Sequence, residues 1–136
     1  MARLVAAERA AHGGSGFAAL TVVYAADARQ AMLRPLTFDQ FCVRCERQGR
    51  SQWQYSQLHD DATVAAWCGV NGAEARWQEM RGELPARVAR VHGLEAQFEA
   101  APADARAALR AELHAQYWWT FDAFKTKGIV EAAGRA

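Results

Sequence analysis

Asp61-Ala-Thr-Val-Ala-Ala-Trp-Cys-Gly-Val-Asn-Gly-Ala-Glu-Ala-Arg-Trp-Gln78 is the stretch on which the reading of this chain turns. Two helix-compatible runs flank a Gly-Val-Asn break. Gly69 suits a backbone that turns through positive φ, where residues with a Cβ are strained. Asn71 is a residue type that caps a helix start by accepting from a free amide. Ala65 is small enough for two helices to cross closely, and Val64, Cys68 and Ala75 are expected to point inward. The pattern predicts two short helices and a tight turn within residues 60–81.

Outward from that unit, the rest of the chain also reads as helix. Thr37 and Gln40 stand three apart, the spacing at which each side chain satisfies a free amide of a first turn. A helix to about Gln48 follows, with Phe38, Phe41, Cys42 and Cys45 on one face and Gly49 as its end. Residues 51–58 have no clear period and read as a loop or short helix. Asp60 and Asp61 suit a helix start. Pro85 and Pro102 mark two later helix starts, because a first turn tolerates a missing amide proton. The first presents Val88, Val91 and Phe98. The second presents Leu109, Leu113, Tyr117, Phe121 and Phe124 at steps of three and four, with Gly128 as its stop.

Upstream, residues 2–11 suggest a helix that ends at the glycine-rich segment 12–16, which reads as a hinge. Residues 17–33 mix strand-like Leu20 to Tyr24 with helix-favouring Ala25 to Leu33 and are read as helix, ended by Pro35. The expectation is a single all-α domain of five to seven helices.

Composition narrows the function classes. Of 136 residues, 51% are hydrophobic, enough for one core. Sixteen basic and fifteen acidic side chains nearly cancel, so no global field draws the chain to nucleic acid or an anionic membrane. Asp27, Arg29 and Arg34 interrupt the longest apolar run, below the roughly 18 residues a spanning helix needs. An amino terminus without a secretory pattern and an odd count of three cysteines lead to a cytoplasmic location as the expectation.

The turn stretch resembles the helix-turn-helix superfamily of DNA-binding regulators over about 18 to 20 of the 136 residues. The resemblance implies that a second helix from Asn71 enters the major groove of double-stranded DNA. Asn71, Gly72, Ala73, Arg76 and Gln78 are then the base-reading or phosphate-contacting residues. Ala75 is smaller than the branched residue that the pattern favours there. Residues 60–81 carry four acids (Asp60, Asp61, Glu74, Glu79) against two bases (Arg76, Arg81), a balance of minus two. Phosphate affinity must therefore come from elsewhere, and Arg44, Arg47 and Arg50, with Arg34 before them, are the candidates. An ordinary helical hairpin with a glycine turn has the same local pattern.

Cys42, Cys45, His59 and Cys68 have the donor types of a tetrahedral zinc site, but their spacing is irregular and the turn already claims Cys68. No metal and no cofactor are expected. Tyr117, Trp118 and Trp119 are consecutive on a helix, and three consecutive residues cannot share one face. Trp118, with Trp119, is the candidate protein interface, since a few exposed aromatic rings often dominate binding. His12, His59, His92 and His114 are scattered, no Ser or Cys sits in a nucleophile turn, and Gly13 to Gly16 lacks the Lys-Ser/Thr ending of a phosphate loop. The sequence thus leads to a non-enzymatic protein that binds a macromolecule, with a homodimer as one arrangement. The first reading is a helix-turn-helix DNA-binding regulator or accessory protein. The second is a small protein-binding adaptor, or an inhibitor of a larger assembly of the kind mobile elements encode.

Overall fold

Thr37 opens the described part of the chain, and its capping box is formed. Its hydroxyl accepts from the Gln40 amide at 3.2 Å, while its own amide donates to the Gln40 side chain at 3.1 Å. The structure is a computed structural model that describes residues 37–134. The expected helix at 2–11, the hinge at 12–16, the 17–33 assignment, His12, Arg34 and Pro35 lie outside those residues.

Five α-helices follow: α1 Phe38–Leu58, α2 Ala62–Trp67, α3 Ala73–Met80, α4 Leu84–Ala100 and α5 Arg106–Ala132. The architecture is all-helical, and no strand occurs among the described residues. No helix among them is long and apolar enough to cross a membrane.

Helix α5 is the spine, about 40 Å long at 1.5 Å per residue. α4 pairs with it antiparallel, as Arg87 meets Gln116 near one end of α4 and Phe98 lies under Arg106 and Arg110 at the other. α1 runs parallel to α5: Phe38 meets Tyr117, Phe41 meets Phe121, and Arg50 meets Glu131. Two apolar clusters result. Phe38, Cys42 and Val91 form one, against Val88, Leu113, Tyr117 and Phe124. Ala73, Ile129 and Val130 form the other, with Trp53, Val70 and Trp77. The second docks α3 against the last turns of α5. Leu94, which the sequence reading did not single out, is fully buried on α4 beside the expected Val91.

Two expected helix stops are not stops. α1 continues through Gly49 to Leu58, and α5 continues through Gly128 to Ala132. Both glycines are buried where the two helices cross. A Cβ on Gly49 would lie 2.0 Å from the carbonyl oxygen of Lys125, and one on Gly128 would lie 2.0 Å from that of Glu46. Only glycine permits that approach. The actual stop of α5 is Gly134 at φ +71°, whose amide donates to the carbonyl of Glu131.

Four charges span the same crossing. Arg50 reaches Glu46 at 2.7 Å and Glu131 at 2.6 Å, and Lys127 reaches Glu46 at 2.9 Å and Glu131 at 3.4 Å. Burial pushes the Glu46 carboxyl up. The Lys127 hydrogen bond and charge, with Glu131 and Arg50, outweigh it and hold the group below its ordinary value.

Candidate functional site

The turn after α2 is built much as its residue types suggest. Asp61 caps α2 by accepting from the Thr63 amide at 2.7 Å, which with the neighbouring groups holds its carboxyl below the usual range. Gly69 has φ +69°, and Cys68 is buried beneath it. The second helix starts later than expected. Gly72, not Asn71, is the residue before it, also at φ +69° and with no side-chain cap. The reversal uses two left-handed residues, and the second one resets the helical frame.

That reset changes which residues of α3 face out. Ala73, expected at base edges, is only 4% exposed and packs against Ile129 and Val130. It is corrected to a core contact. Ala75, expected inward, is exposed. Arg76 is half-buried and folds back on the turn, donating to the carbonyls of Asn71, at 2.7 Å, and Gly69. Those carbonyls are left over where the backbone reverses, and the guanidinium fork supplies two donors for them. Asn71, Gly72 and Gln78 remain exposed. Around Gln78 the outward face of α3 carries Glu74 and Glu79, both exposed acids.

The expected phosphate-holding arginines divide. Arg50 is engaged by two carboxylates at the α1/α5 crossing. Arg44 and Arg47 stand exposed on α1 beside Val43, without an ion-pair partner among the described residues.

The zinc-type donors do not converge. Among the described residues no three His, Cys, Asp or Glu side chains are arranged to hold a metal ion. Burial, then the neighbouring Cys45 and Asp39, pushes the Cys42 thiol up to about 12, and burial pushes Cys45 up to about 11. That direction opposes the thiolate form a metal needs. His59 packs at a tilt against Tyr55, with ring centres 4.4 Å apart.

The adjacent tryptophans part. Trp119 turns to α4, where the Arg87 guanidinium lies 4.9 Å above its ring. Trp118 turns outward and is 60% exposed. Its indole N–H donates to His114 Nε2 at 3.1 Å, which requires that nitrogen to be unprotonated. Its ring stands edge-on to Phe121, with centres 5.7 Å apart. Phe41 of α1 closes the other side, 5.1 Å from Tyr117 and 6.5 Å from Phe121. Together they line an open, almost wholly apolar cleft of about 230 Å³ between α1 and α5.

Sequence reasoning picked out Trp118 but missed the cleft. Phe41, Tyr117 and Phe121 read as core, and the available signal was a second stripe on α5, His114, Trp118, Phe121 and Lys125, at steps of four, three and four. No family model matches the chain, and no curated protein or solved structure is significantly similar to it.

Proposed function

We propose that this chain is a non-enzymatic protein-binding module that holds an apolar side chain of a polypeptide partner in the cleft between α1 and α5. The observation that carries the reading is the 60% exposure of Trp118 at the rim of a cleft floored by Phe41, Tyr117 and Phe121. A large ring left in water beside apolar surface is a ready source of binding free energy, because a partner that covers its exposed 60% buries on the order of 100–150 Å² of aromatic side chain. Exposed rings of this kind act as anchors whose loss typically costs 2 kcal/mol or more of binding, about 30-fold in affinity. The unpaired thiols suit work in the cytoplasm, a reducing compartment.

A photoreactive benzoylphenylalanine at position 118 tests this in the native host. Cross-links to polypeptide from position 118, but not from exposed Ala96 on α4, are the expected result. Equal labelling from both positions would dismiss the cleft.

The double-glycine reversal favours a second reading, the helix-turn-helix DNA-binding regulator. Its remaining base-side candidates are Asn71, Gly72 and Gln78, with Arg44 and Arg47 as phosphate contacts. Arg76 has donors committed to the turn, and Glu74 and Glu79 repel phosphate, so this reading stands second. It requires duplex binding that weakens steeply with added salt and that Gln78→Ala impairs. Binding that ignores salt would remove it.

A further inference from the structure

We propose that the ligand of this cleft is a short acidic peptide segment, an apolar anchor with a carboxylate within about 10 Å of it along the groove. The inference rests on the protein-binding reading and adds the chemistry of the partner. Trp118 and Lys125 are seven residues apart on one face of α5, about 10 Å at 1.5 Å per residue. At the Lys125 end the groove is basic. Lys125 Nζ lies 5.1 Å from the centre of the Phe121 ring, and Arg44 stands exposed on α1 three residues, about one turn, beyond Phe41.

The charges near that end do not cancel. Asp122 is paired with Lys125 at 3.4 Å, and Asp39, which borders the same surface hollow as Arg44 and Arg47, forms an ion pair with neither and lies 3.2 Å from His92. Arg44 and, one turn on, Arg47 have no carboxylate partner among the described residues. An exposed guanidinium presents two parallel donors, the geometry that a carboxylate accepts. An apolar cleft with an unpaired arginine one helical turn beyond its Phe41 wall therefore fits a segment that alternates apolar and acidic side chains, and disfavours a basic one. A single-stranded nucleic acid offers negative charge too, but a tracked strand needs successive open ring faces for its bases, and of the cleft's rings Phe41 and Tyr117 are packed against Phe38 while Trp118 is the one largely exposed.

The test selects a random dodecapeptide library, displayed on phage, against the immobilised full chain and against Trp118→Ala and Arg44→Glu. The winners on the unmodified chain are expected to carry Leu, Phe or Trp followed by Asp or Glu and to be lost on Trp118→Ala. On Arg44→Glu, a synthetic winner should bind about tenfold more weakly. Arg44 packs against nothing in the core, and unchanged helical circular dichroism confirms that the variant folds. Winners that need Trp118 but show no acidic enrichment would overturn the charge inference and leave the cleft reading standing. Winners indifferent to Trp118→Ala would overturn both. Displacement of a winner from the cleft by a twelve-nucleotide single strand would overturn the peptide assignment in favour of nucleic acid.

Discussion

Gly49 and Gly128 meet backbone to backbone at the crossing of α1 and α5, each lacking the one carbon atom that would strike the other helix. Two opposite effects make the site a sharp test. In an exposed helix interior, Gly→Ala stabilises by about 1 kcal/mol, because alanine loses less backbone freedom. Here the added methyl falls 2.0 Å from a main-chain oxygen, and backbone cannot move aside without separating the helices. Gly49→Ala and Gly128→Ala should each lower stability by about 1–3 kcal/mol in urea unfolding. A gain in either variant would mean that the helices do not touch there.

The ion network over that crossing gives a pH signature. The Glu46 carboxyl is held below its ordinary value of 4.5, so its contribution is fully present above that pH and is lost as pH falls through the lower folded value. Urea midpoints should therefore decline on acidification below pH 4.5, and Glu46→Gln should flatten that decline. The Glu46–Lys127 coupling in a double-mutant cycle should be about 0.5–1 kcal/mol, because both groups keep some solvent contact. An acid limb unchanged in Glu46→Gln would contradict the assignment.

Arg76 separates two roles for the turn. Its guanidinium serves the Asn71 and Gly69 carbonyls, so Arg76→Ala should destabilise the protein by about 1–2 kcal/mol. Thermal unfolding measures this without any ligand. Unchanged stability together with lost duplex binding would restore Arg76 as a DNA contact.

Cys42 and Cys45 should resist alkylation in the folded protein. Their thiols are buried and pushed up to about 12 and 11, which leaves almost no thiolate at pH 8. Peptide mapping after brief iodoacetamide treatment should find both unmodified until denaturant is added. Rapid native labelling of either one would show that the face carrying Phe38 and Phe41 is open.

What was legible in the sequence was local. The Thr37–Gln40 box, the Asp61 cap, the Gly69 turn and Pro85 in the first turn of α4 are all set by neighbours a few residues away, and each is found in place. The split between Trp118 and Trp119 follows from the 100° step of a helix, which carries consecutive residues to different faces. Gly49 and Gly128 were misread because a glycine in a close crossing and a glycine at a helix end look alike until the partner helix, about 80 residues away, is known. The register of α3 slipped for a related reason. One left-handed residue completes a plausible turn, and nothing nearby says that Gly72 is a second. Arg50 differs from Arg44 and Arg47 through Glu46, four residues back and legible as a helical pair, and through Glu131, a partner 81 positions along the chain that no local rule supplies. The cleft likewise joins Phe41 to residues of a distant helix, and no local rule places them together.

A binding cleft at Trp118 is tested most directly by the dissociation constant of the polypeptide captured at position 118, measured for the unmodified chain and for Trp118→Ala with helical content checked in both. It predicts a loss of at least about 30-fold with the helices intact. Equal affinity in the two proteins would contradict it.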